Sequence, residues 1–239
     1  MGRLFLVRHA QASFLSQNYD QLSSLGETQA QLLGQYWSER NVVFDRVCTG
    51  PALRHLQTAQ LVSEAYRKAG IDFPAPFVAE DFDEFPGEAV LCHGLPQLLA
   101  KNDEVRELRN AVQHSSTDTE KRANFQRLFE AVISLWVTGE IAFPHVESWQ
   151  EFCARVNRGL SAFLAKSLKG EVAVIFTSGG PLSVAVQRAL HLSTEDTLHI
   201  AWMPRNCSLS EFLFSRGRFM LSSFNSFPHL DSESLLTYR

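Results

Sequence analysis

Arg8 and His9 close the apolar run Leu4-Phe-Leu-Val7. An imidazole can act as a base or a nucleophile, and a guanidinium clamps anionic oxygens with its fixed fork of donors. A second arginine lies in Thr49-Gly-Pro-Ala-Leu-Arg54-His-Leu-Gln-Thr58-Ala59. Arg54 follows a short strand, a turn and a first helical turn, which aims it back toward the sheet end that carries Arg8. In Ile175-Phe-Thr-Ser178-Gly179-Gly180-Pro181 an apolar strand runs straight into a helix. Free backbone N–H groups and the positive helix end at Gly179 suit phosphate. Asp83 and Glu84 sit in an acidic and aromatic loop, residues 81–87. A carboxyl group there can hand a proton to a leaving group.

Each feature has a plainer meaning when taken alone. Arg8-His9 is then a surface pair past a strand, and Arg54 a solvated helix arginine. The Gly-Gly step is a tight turn, and Asp83-Glu84 an exposed acidic turn. His55 reads as a helix-surface histidine, although it could swing toward Arg54. Together the four features supply a nucleophile, two guanidiniums, an anion-binding turn and a proton donor. Phe14, Tyr19, Phe82 and Phe85 either cover an organic leaving group or form local core.

The elements that must hold these groups alternate between strand and helix. Strands are expected at residues 4–7, 44–48, 77–78, 171–177, 208–214 and 218–224. The run at 4–7 is apolar throughout, as a strand covered on both faces must be. Ser24-Leu-Gly-Glu27 has capping-box spacing and opens a helix over 24–39, with Ala30, Leu33, Tyr36 and Trp37 on one face. Further helices are expected from the Gly-Pro51 turn to Lys68, from Ser148 to Leu168 and over 182–190. Residues 88–141 are mainly helical in pattern, with a polar turn at 114–121. The class is α/β, as a single domain over 1–239 with residues 88–145 as a helical insertion or lid. Ligands of such sheets bind beyond the carboxyl ends of the strands, where the firm site residues fall.

The bulk properties narrow the function. The chain has 239 residues, 45% of them apolar, and a net charge of −4. That balance gives no support for nucleic-acid binding, so an anionic ligand needs local basic residues. No apolar stretch reaches membrane-spanning length. The four cysteines lack metal-ligand spacing and read as free thiols in a reducing compartment. A cytoplasmic location is expected, and a homodimer is compatible with the sequence.

Four stretches resemble the histidine phosphatase superfamily, with its phosphoglycerate mutase-like fold. Leu4–Ala10 is similar to that family's strand ending in Arg-His-Gly. Leu22–Ala30 resembles its first-helix motif. Thr49–Ala59 resembles its Ser-x-Leu-x-Arg-Ala-x-Gln-Thr-Ala element. Val172–Pro181 resembles the strand carrying its second catalytic His-Gly. The resemblance implies a three-layer α/β/α fold with a mostly parallel central sheet and a helical insertion over the site. It implies that His9 attacks phosphorus and becomes a phosphohistidine, while Arg8, Arg54, Ser178 and Gly179 hold the phosphoryl oxygens. Glu84 then protonates the leaving oxygen, with Asp83 in reserve. No metal or organic cofactor is required, and the ligand is a small phosphorylated molecule or inorganic phosphate.

Two departures stand out. Ala10 replaces glycine, which needs an ordinary backbone angle. Ser178 replaces the second histidine. A hydroxyl donates a hydrogen bond but carries no charge, so the loss is a few kcal/mol, roughly two to three decades in rate. The expected function is a metal-independent phosphohydrolase. The alternatives are a weakened pseudoenzyme or phosphate-ligand binding protein, and, with less support, a mutase.

Overall fold

The apolar runs become the middle of a mixed, mostly parallel sheet. This is seen in a computed structural model, which describes residues 1–13 and 20–238. Its strands are β1 (Gly2–Arg8), β2 (Arg46–Thr49), β3 (Phe77–Val78), β4 (Val172–Thr177), β5 (Leu209–Ser215) and β6 (Arg218–Ser226), paired in the order β3-β2-β4-β1-β5-β6. The fold is three-layer α/β/α. β4 runs parallel to both β1 and β2 at the centre. Arg8 pairs with Thr177, and Thr49 pairs with Phe176. Two further bonds carry the alignment past the strand ends, His9 N to Thr177 O at 2.8 Å and Gly50 N to Phe176 O at 2.9 Å. His9, Gly50 and Ser178 therefore leave the sheet side by side. β5 is antiparallel to β1, and β6 to β5, with Gly217 at φ +73° in their turn.

The core explains why these strands stay central. Leu4, Leu6, Val174 and Ile175 are fully buried. Phe5, Val7 and Phe176 join Leu33, Trp37, Phe44, Val62 and Tyr66 in one apolar cluster. That cluster is completed by α1 (Ser24–Glu39) and α2 (Leu53–Lys68). Gly34 lets the two helices touch, because a Cβ there would lie 2.6 Å from the Ala65 Cβ.

Several boundaries differ from expectation. The cap of α1 is Ser23, whose Oγ accepts from Gly26 N at 3.0 Å. Ser24 is already helical, since Ser23 also donates to Gln11 Oε1 at 2.7 Å and is thereby fixed in the capping position. α6 (Trp149–Ala165) does carry a reciprocal capping box: Glu151 N donates to Ser148 Oγ at 3.2 Å, and Ser148 N to Glu151 Oε2 at 2.8 Å. Ser148 N and the Ser148 hydroxyl, both donating to Glu151 Oε2, hold the Glu151 carboxyl below its usual range. α7 (Gly179–Leu190) starts three residues earlier than expected and keeps Pro181 in its first turn, where no intrahelical N–H is needed. α8 (Thr194–Ala201), capped by Ser193, was not anticipated.

The chain divides into two units, residues 1–84 with 155–239, and residues 85–154. The second is helical, built from α3 (Gly87–Lys101), α4 (Asp103–Gln113), α5 (Asp118–Val137) and the first turns of α6. Its polar break at 114–117 falls in the predicted turn. A second break comes at Asn102, whose Oδ1 caps α4 at Val105 N. Among the described residues, no helix is long and apolar enough to cross a membrane.

Candidate active site

His9 leaves β1 with its main chain fixed. Its carbonyl accepts from Cys207 N at 3.1 Å and from Asn206 Nδ2 at 3.4 Å. Nδ1 lies 2.8 Å from Ala10 O. A carbonyl can only accept, so Nδ1 carries the proton and Nε2 keeps its lone pair. Burial lowers the pKa of His9 well below 6.5, and the neighbouring Arg54, Arg8 and His55 lower it further. The ring is therefore neutral near pH 7. Ala10 needs no left-handed backbone, since it is absent from the positive-φ residues Asn41, His145, His191, Cys207 and Asn225.

Two arginines converge here. Arg8 is buried and donates to the Pro204 carbonyl. Arg54 sits on the first turn of α2, with Nη1 2.6 Å from Asp20 Oδ1 and Nη2 3.4 Å from Ser178 Oγ. Asp20 has a second task. Ala52 precedes α2 and has no capping side chain, and Asp20 Oδ2 accepts from Leu53 N at 2.8 Å instead. Thr58 Oγ1 accepts from Ala10 N at 3.1 Å and donates to Arg54 O at 2.7 Å, which ties α2 to the chain beyond β1.

His55 is not on the helix surface. It is fully buried, and its Nε2 lies 2.6 Å from Ser178 Oγ. Its ring centroid is 5.6 Å from that of His9. Gly50 makes room for it: a Cβ there would stand 2.5 Å from His55 Nδ1 and 2.6 Å from Phe82 O. Burial and then Arg54 hold the His55 pKa well below 6.5. Ser178 occupies the N-cap of α7 but makes no capping bond. Its Oγ instead accepts from Arg54 Nη2 and pairs with His55 Nε2. Gly179 is required by the close pass of α8, since a Cβ would lie 2.9 Å from Ala201 O.

The acidic loop meets the same helix end. Glu84 Oε1 and Oε2 accept from Gly180 N at 3.1 and 3.3 Å. The anion-binding turn expected to await phosphate thus already carries a carboxylate. Asp83 Oδ1 accepts from Glu84 N at 2.8 Å. Of the two acids, Glu84 is the one on the helix terminus. Arg155 secures the loop by donating to the carbonyls of Glu80 (2.9 Å), Asp81 (3.2 Å), Asp83 (3.2 Å) and Glu84 (3.4 Å). Phe82 is buried against Phe163, and Phe85 against Trp136 and Phe152, so both are local core. Phe14 and Tyr19 lie outside the described residues.

The structure therefore brings His9, Arg54, Ser178, His55 and Arg8 around one cluster, with Glu84 on the adjoining helix end. Nothing in the sequence signals the roles of Asp20 and Arg155. Their partners are a helix terminus and loop carbonyls, which no motif encodes.

This arrangement can surround a tetrahedral anion with an imidazole and two guanidiniums. A family model described as the histidine phosphatase superfamily, branch 1, matches residues 4–76 and 90–226. The chain belongs to the histidine phosphatase superfamily. No curated protein matches it. Solved structures share the fold of this superfamily member. The alpha-ribazole phosphatase from Shigella flexneri is 21% identical, covers 94% of this chain and 96% of its own, and has a TM-score of 0.63. YhfR of Bacillus stearothermophilus is 17% identical over 97% of this chain and 100% of its own, with a TM-score of 0.64. The phosphoglycerate mutase from Bacillus anthracis is 14% identical over 96% and 95%, with a TM-score of 0.60.

Proposed function

We propose that the protein is a metal-independent phosphohydrolase that works through phospho-His9 on a small phosphorylated molecule. Membership of the superfamily and the phosphatases among its structural neighbours support phosphate-ester hydrolysis. The observation that carries the mechanism is the Nδ1–H of His9 on the Ala10 carbonyl, which leaves Nε2 with its lone pair in a neutral ring close to Arg54. Nε2 attacks phosphorus, and the P–O bond to the leaving group breaks. Glu84, which takes up a proton from solvent as substrate binds, gives it to that oxygen. Water then attacks the phosphohistidine, Glu84 takes the water's proton, and free phosphate departs with His9 restored. Arg8 and Arg54 neutralise the equatorial oxygens in a buried setting, where charge-assisted bonds act strongly.

Acid-quench labelling with a radioactive phosphodonor tests this. Wild-type protein is expected to hold label on His9, and His9→Ala to hold none. Label elsewhere, or hydrolysis that survives His9→Ala, removes the proposal. Ser178 favours the second reading, a phosphate-ligand binding protein without turnover. That reading predicts a raised Tm with phosphometabolites and neither label nor hydrolysis.

A further inference from the structure

Ser178 and His55 are 123 positions apart in the chain, yet their side chains form one of the shortest polar contacts in the cluster, at 2.6 Å. Both are buried, and such a pair is costly unless it is satisfied. Ser178 has no local structural duty, and the other side of the His55 ring meets the Gly50 backbone. Ser178 stands at an N-cap without capping, a task passed to the Glu84 carboxylate. His55 occupies a slot that exists only because residue 50 lacks a side chain. The pattern resembled by Thr49–Ala59 has alanine where this chain has His55. The pattern resembled by Val172–Pro181 has histidine where it has Ser178. The two exchanged positions face each other, so the imidazole is kept in the cluster but comes from a different element.

We infer that His55 is a positioning residue for the bound anion, holding Ser178 by a hydrogen bond and lending it positive charge once a tetrahedral dianion fills the site. This deepens the phosphohydrolase reading and rests on it for the identity of the anion as phosphoryl. The groups facing His55 are Arg54 on its own helix, His9 just past β1, and Ser178 at the start of α7, with Arg8 on the His9 side of the cluster. Glu84 lies on that helix end, and Asp20 on the far side of Arg54. With no anion, burial and then the Arg54 guanidinium keep the imidazole neutral. An entering dianion reverses the sign of the local field, which favours the imidazolium. The proton comes from solvent. Nε2–H then donates to Ser178 Oγ, and the Ser178 O–H donates to an anion oxygen. No bond to carbon or phosphorus changes in this step.

Sulfate is the probe, because it is a tetrahedral dianion that does not itself titrate near neutrality. Its binding is measured by calorimetry in buffers of different ionisation enthalpy, on wild type, His55→Gln, Ser178→His and the double variant His55→Ala/Ser178→His. Wild type is expected to take up a proton on binding, with affinity falling up to about tenfold per unit across roughly pH 6 to 7.5. His55→Gln keeps a donor to Ser178 but cannot titrate, so proton uptake falls and binding at pH 6 weakens about tenfold. Ser178→His alone crowds His55 and weakens binding, and the double variant recovers both affinity and proton uptake. Unchanged proton uptake in His55→Gln, or wild type that binds no sulfate, overturns the inference. His9 labelling in wild type reports separately on the phosphohydrolase reading. Label with a His55-independent anion site would sink the inference alone, and a His55-dependent site without label would sink the hydrolase alone.

Discussion

Arg54 and Asp20 set a balance that kinetics can read. Asp20 neutralises part of the Arg54 fork and caps α2. Asp20→Asn keeps a good capping group but removes the charge. It is expected to lower KM for a phosphate monoester about threefold to tenfold, since Arg54 then faces the anion unopposed. An unchanged KM would show that the pair does not compete with substrate. Arg54→Ala is expected to lower kcat by roughly two to three decades, as loss of a charged donor at a transferring group does. Steady-state kinetics on a generic aryl phosphate measures both. That His9, Arg8, Arg54 and Glu84 gather near the ends of β1 and β4 was legible in the sequence, because each closes or follows an element with a clear pattern. His55 was misplaced because helical spacing tells which face a residue is on, and the first turn of α2 faces the strand ends rather than solvent.

Helices α1 and α2 pack through Gly34, and α2 delivers Arg54 and His55 to the site. A methyl group at Gly34 would meet Ala65 Cβ at 2.6 Å and Val62 O at 2.9 Å, neither of which can rotate away. Gly34→Ala is therefore expected to destabilise the protein by about 1–3 kcal/mol, read as a lower urea midpoint with unchanged slope. A wild-type midpoint would mean that the helices separate freely. The longer elements were readable from their periodicity. Elements bounded by weak local signals were not. Ser23 and Ser24 are both competent caps, and the loop contact with Gln11 chooses between them. α8 has eight residues, too few for a period to show. The break at Asn102 interrupts a stretch whose helical pattern continues on both sides.

Over the whole molecule, buried histidines couple the fold to pH. His9 and His55 have lowered pKa values, and burial brings His229 down to about 4. A histidine whose folded pKa lies below its unfolded value of about 6.5 binds fewer protons folded than unfolded, so its stabilising contribution is present above 6.5 and is lost as pH falls. For His229 the loss runs from about pH 6.5 to 4 and reaches about 3 kcal/mol. Tm is expected to fall steadily on acidification below pH 6.5, and His229→Gln to flatten that slope whatever its effect at pH 7. Parallel slopes for the two proteins would exclude His229 as a contributor. The sequence by itself determined the strand-helix alternation, the parallel sheet and the family, because apolar periodicity and short motifs are local properties of the chain. Tertiary structure decided that His55 meets Ser178, that Glu84 caps Gly180 and that Asp20 holds Arg54. Those contacts depend on the β1-β4-β2 register and on the space left by Gly50 and by a small residue at 178, which exist only once distant segments have packed.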